Sequence, residues 1–135
     1  MKLEHFAINV KDPLKMADWY VNNLGMRIVR QSPSAPYTTF LADDSGRIMI
    51  EVYANPADQV PDYRNMNPLI LHFAFVSENP EADKNRLMKA GAHLINEQSL
   101  PDGSVIVMLK DPWGVSVQLC KRGNPMLLEK ERDGL

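Results

Sequence analysis

Leu3-Glu-His5-Phe-Ala-Ile-Asn-Val10-Lys-Asp12-Pro13 is answered, 67 residues further on, by Ile70-Leu-His72-Phe-Ala-Phe-Val76-Ser-Glu-Asn79-Pro80. In the first copy Phe6, Ile8 and Val10 fall on one side of an extended chain, with Leu3, His5, Ala7 and Asn9 on the other, so Leu3–Val10 is predicted to be a strand. Asp12-Pro13 then stops the strand and opens a helix, with Asp as N-cap and proline at the first helical position. The second copy repeats both steps: a strand over Leu69–Val76, then Asn79-Pro80.

The pattern extends outward in the same register. After Pro13, Leu14, Ala17, Tyr20 or Val21, and Leu24 recur at helical spacing up to Gly25. Strand-like runs follow at Met26–Gln31, Tyr37–Leu41 and Arg47–Tyr53, separated by a Ser/Pro-rich loop and by Ala42-Asp-Asp-Ser-Gly46. After Pro80 a helix is predicted to about Ala90, ended by Gly91, and then strands at Ala92–Gln98, Ser104–Leu109 and Val115–Cys120. Identities between the copies are few. The argument for a repeat is that turns, helix starts and strand parities coincide at a single offset. The expected fold is therefore α+β: two βαβββ modules in tandem, forming curled mixed sheets around a cup-shaped cavity. Residues 1–121 are expected to make one domain, with module one at 1–54, a proline-rich linker at 55–68 and module two at 69–121. Residues 122–135 form a charged tail.

Composition fits this and removes several function classes. The 135 residues are 44% hydrophobic and 24% charged, which is globular usage. Fifteen basic residues against 17 acidic ones leave a formal charge of −2, with no net basic field for a polyanion, so nucleic acid is not an expected partner. The lone cysteine, Cys120, excludes a disulfide framework and a Cys-rich zinc module. Apolar runs are too short for a membrane span or a signal peptide, which gives the expectation of a cytoplasmic protein without membrane association.

The repeat gathers polar residues that each copy alone leaves unexplained. His5 pairs with His72, and Glu51 with Gln118. Parity sets Met49, Glu51 and Tyr53 opposite Ile48, Ile50 and Val52, and Ser116, Gln118 and Cys120 opposite Val115, Val117 and Leu119. If the aliphatic faces cover the helices, the four polar side chains line the other face of each sheet. Taken singly, a histidine there reads as hydrogen-bonded within the sheet. Taken together, two imidazoles and a carboxylate read as a divalent-metal site with open positions, and the Gln118 amide oxygen as a neutral fourth ligand. His93 has no partner in the repeat and reads as a surface residue. Cys120 reads as a small apolar filler.

These segments resemble the vicinal oxygen chelate superfamily, which includes glyoxalase I, methylmalonyl-CoA epimerase, extradiol dioxygenases, and fosfomycin- and bleomycin-resistance proteins. The resemblance is carried by Leu3–Val10, Trp19-Tyr-Val-Asn-Asn-Leu-Gly-Met26, Ile50-Glu51-Val-Tyr-Ala-Asn55, Leu71-His72-Phe-Ala-Phe75 and Asp111-Pro-Trp-Gly-Val-Ser-Val-Gln118-Leu119, over roughly residues 1–121. It implies that His5, Glu51 and His72 match metal-ligand positions for an ion such as Zn, Ni, Mn or Fe. Gln118 falls on the fourth position, where the metalloenzymes usually carry Glu. A glutamine takes no proton, so Glu51 becomes the candidate base for chemistry at carbon next to a carbonyl. Asn55 matches an asparagine near glutathione in glyoxalase I. Asn9 stands where several glyoxalases place an arginine, and is the second candidate substrate-binding residue. The resemblance implies a small-molecule substrate and a homodimer. It points first to a lyase or isomerase of the lactoylglutathione lyase type and second to a metal-free drug- or metabolite-binding protein; against a third reading, a fosfomycin-type thiol transferase, stands the missing carboxylate at Gln118. The fold supports all three.

Overall fold

Asp12 and Asn79 start the two helices in the same way. Each side chain accepts the backbone N–H three residues on, from Lys15 and Ala82, and in each case proline opens the helix. The computed structural model describes residues 1–127. Module one runs β1 (His5–Asn9), α1 (Pro13–Leu24), β2 (Arg27–Gln31), β3 (Thr39–Ala42) and β4 (Met49–Tyr53). A 3-10 turn, Tyr63–Asn65, precedes β5 (Phe73–Val76), α2 (Pro80–Lys89), β6 (His93–Ser99), β7 (Val105–Lys110) and β8 (Ser116–Lys121). The chain divides into two compact units, one through Asp62 and one from Tyr63 onward.

Each unit holds one four-stranded mixed sheet, in the orders β1-β4-β3-β2 and β5-β8-β7-β6. The first strand of each module pairs parallel with the last, and the remaining pairs are antiparallel. His5 lies opposite Met49 and Phe73 opposite Val117, so the two parallel pairs share one register. The repeat read from the sequence is thus a repeat of hydrogen-bonding pattern as well as of elements. Both outer pairs also slip, β2–β3 between Ile28 and Arg30 and β6–β7 between Leu94 and Asn96, leaving Val29 and Ile95 outside the ladder.

One face of each sheet is apolar and covered by its helix. In the first unit Ile8, Leu41, Ile50 and Val52 are buried with Met16, Ala17 and Tyr20 of α1. In the second, Phe73, Val107, Leu109, Val117 and Leu119 are buried with Leu87 of α2. Removing such side chains from water stabilises a fold by roughly 1.5–3 kcal/mol each.

The structure adjusts three expectations. β5 begins at Phe73 rather than Leu69, because Asn67 turns the chain: its carbonyl accepts from the Ile70 N–H and its side chain from the Leu69 N–H. The proline-rich stretch contains an ordered turn, Tyr63–Asn65, described below. Lys121 belongs to β8, and residues 128–135 of the charged tail lie outside the described residues.

Candidate functional site

The parallel register decides which side chains share the uncovered face of the first sheet. His5 beside Met49, Ala7 beside Glu51 and Asn9 beside Tyr53 all project to the side away from α1. Phe40 of β3 lies opposite Glu51 and completes the row. The His5 ring meets the Phe40 ring edge-on, with centroids 5.4 Å apart, and the Arg30 guanidinium lies 6.0 Å from the same ring. His5 Nδ1 donates to Glu4 Oε1 at 2.8 Å. A histidine holds its proton on the nitrogen that faces an acceptor, so this bond leaves Nε2 as the lone-pair nitrogen. The half-buried Glu51 carboxylate has no hydrogen-bond or ion-pair partner among the described residues.

Module two repeats the arrangement with different anchors. Ala74 lies beside Gln118, which faces Met108, and Ser116 faces Lys110. His72 immediately precedes β5, and its Nδ1 donates to the Pro68 carbonyl at 2.9 Å. A carbonyl only accepts, so here too Nε2 carries the lone pair. The Cys120 thiol donates to Gln118 Oε1 at 2.9 Å. Burial pushes the Cys120 pKa up, against a smaller opposing pull from Arg122, so the thiol keeps its proton and remains a donor. The amide oxygen expected to act as a fourth ligand thus gives one of its two lone pairs to the thiol.

The two asparagines expected at the substrate are joined to each other. Asn9 Oδ1 accepts the Asn55 N–H at 2.6 Å, and Asn9 Nδ2 donates to the carbonyls of Pro56 at 2.7 Å and Gln59 at 3.3 Å. Asn9 thus secures the turn after β4, and Asn55 is exposed on it. Glu51 and His5 share the uncovered face of module one, and in module two His72 lies just before the strand that pairs with Gln118. Among the described residues no group of three or more His, Cys, Asp or Glu side chains is gathered as a metal site. A cleft of about 480 Å³ opens beside the start of α2, lined by Glu78, Asn79, Glu97, Gln98 and Lys121, and none of the expected site residues reaches it.

Lys110, which sequence reasoning passed over, is a further polar group of this face. It is 8% exposed, and its Nζ donates to the carbonyls of Tyr63, Arg64 and Met66 at 2.6, 2.9 and 2.7 Å. The signal available in the sequence was a lysine closing the apolar run Val105-Ile-Val-Met-Leu109. The Asp111-Pro-Trp-Gly114 turn that follows is built for packing. Asp111 Oδ1 accepts the N–H groups of Trp113 and Val115, both at 2.9 Å. Gly114 sits at φ +90°, where a Cβ would come within 2.6 Å of Arg64 Cα.

Known structures share this architecture. An antibiotic-binding protein, TnmS3, from Streptomyces sp. CB03234 aligns with TM-score 0.70 and 18% identity over 90% of this chain and 96% of its own. A glyoxalase family protein from Bacillus cereus aligns with TM-score 0.76 and 15% identity over 90% of this chain and 94% of its own. Lactoylglutathione lyase from Agrobacterium tumefaciens aligns with TM-score 0.63 and 20% identity over 87% of this chain and 91% of its own. Among curated proteins no sequence matches significantly. No helix of the described residues is long and apolar enough to cross a membrane. The family profile extends over residues 2–119, nearly every described position, and with it the chain belongs to the Glyoxalase/Bleomycin resistance protein/Dioxygenase superfamily.

Proposed function

We propose that this chain is a glyoxalase-like, metal-dependent lyase or isomerase acting on a small substrate that chelates through two oxygens. The observation that carries the reading is the matched state of the two histidines: each Nδ1–H is held by an oxygen acceptor and each Nε2 is left with its lone pair. That is how proteins prepare imidazoles for a metal. With the unpartnered Glu51 carboxylate, the donors suit a divalent ion such as Zn, Ni, Mn or Fe, with Gln118 flanking them. Such an ion, when bound, supplies Lewis-acid polarisation of a substrate carbonyl. Glu51 accepts a proton from the adjacent carbon and returns it, the isomerising step. Asn55 is offered to the substrate on the turn that Asn9 secures. The same reading takes residues 1–121 as one domain and the protein as a cytoplasmic homodimer, the dimer to be checked by sedimentation.

A second reading, a metal-free small-molecule binding protein, is favoured by one observation: the Gln118 oxygen accepts from the Cys120 thiol. The likeness to an antibiotic-binding protein agrees with it. Metal analysis separates the two. Protein purified without chelator and then reconstituted with Zn, Ni, Mn or Fe is expected to retain a stoichiometric ion, and His5→Ala or His72→Ala to lose it. Wild-type protein that retains none establishes the binding reading instead.

A further inference from the structure

The strap from Tyr63 to His72 is fastened at one end by a buried ammonium and ends at the other in an oriented imidazole. Lys110 has three N–H donors, and each finds a carbonyl of this strap, Tyr63, Arg64 or Met66. No carboxylate pairs with it among the described residues. A buried ammonium is costly unless its donors are satisfied, so removing any of the three carbonyls from Nζ is opposed by the desolvation of the charge. The strap is pressed from the same side by the turn after β7: Gly114 leaves no room for a side chain against the Arg64 backbone, and Arg64 Nη2 donates to the Pro112 carbonyl at 2.7 Å. Two residues past Met66, Pro68 supplies the carbonyl that holds His72 Nδ1. Asn67, between them, closes the intervening turn. Lys110 also stands opposite Ser116 on the face that carries Gln118.

We infer that Lys110 is a positioning residue for His72: by fixing the carbonyls of Tyr63, Arg64 and Met66 it fixes the Pro68 carbonyl, and so decides which imidazole nitrogen of His72 is presented. The inference rests on the metal-site reading only for its functional meaning; the tautomer it dictates is a property of the metal-free protein. An unrestrained imidazole favours the proton on Nε2. His72 is held in the opposite form, and Lys110 is the reason it stays there.

Long-range nitrogen–proton NMR of metal-free protein at about pH 8, above the ordinary imidazole range, reads the tautomer directly. The expected result is an Nδ1–H pattern for His72 in the wild type, reversion towards Nε2–H in Lys110→Met, and an unmoved pattern for His5. Lys110→Arg, which keeps donors and charge, is expected to restore most of the wild-type pattern. Should Lys110→Met not fold, Lys110→Gln, with too few donors for three carbonyls, is judged by the same criterion. A folded Met or Gln variant whose His72 keeps its wild-type tautomer overturns the inference, as does a wild type with the proton on Nε2. Titration of the same proteins with Ni²⁺ tests the functional reading separately, with about tenfold weaker binding expected in the folded Met or Gln variant. Wild-type protein that binds no Ni²⁺ counts against that reading and leaves the tautomer result to judge Lys110.

Discussion

In the proposed site the Gln118–Cys120 pair takes the place of a fourth charged ligand. An amide oxygen is a neutral and weak donor, and here it already accepts from a thiol. Gln118→Glu supplies a charged oxygen at the same point, and we expect divalent-ion affinity to rise by roughly tenfold or more, read by titration calorimetry. An unchanged affinity would show that this position lies outside the ligand set. Cys120 gives a pH prediction. Burial raises the thiol pKa in the folded state above its unfolded value. As pH rises through the ordinary thiol range near about 8.5, the unfolded chain therefore loses its proton first, and stability falls. Denaturation midpoints measured from neutral to alkaline pH are expected to decline there, and Cys120→Ser to flatten that part of the curve.

At the level of elements, what was legible in the sequence was what is decided locally. Asp12-Pro13 and Asn79-Pro80 announce helix starts because cap, proline and first turn lie within four residues of one another. Each cap bond is expected to contribute about 1 kcal/mol, so Asp12→Ala and Asn79→Ala are each expected to lower stability by that amount in urea unfolding. The parity of β4 was legible as well, since alternation of burial follows alternation of residue type there, whereas in β8 Ser116 and Cys120 are buried along with Val117 and Leu119. The start of β5 was not. Leu69 and Ile70 have strand-forming character, yet they lie in the turn set by Asn67 and are 80% and 73% exposed. The anchors of the site were equally hidden. Lys110 binds backbone carbonyls more than forty positions away, and a carbonyl leaves no mark on residue identity. Of the candidate site, the histidines and Glu51 could be named from the repeat, whereas the groups that orient them could not.

For the molecule as a whole, duplication of the module also duplicates its weak points. Each four-stranded sheet ends in two outer strands, β1 and β2 in one and β5 and β6 in the other. β2 and β6 are exposed along their whole lengths and carry Ile28, Val29, Leu94 and Ile95. A straight apolar edge of this kind is a template on which another chain can add, growing a ribbon. The unpaired Val29 and Ile95 interrupt each edge, and the local twist they impose spoils the match to an incoming strand. Deleting Val29 is expected to straighten the ladder and to increase concentration-dependent light scattering of the native protein, with deletion of Ile95 doing the same at the other sheet. Each sheet thus carries, in its own outer ladder, a break that works against strand-by-strand polymerisation.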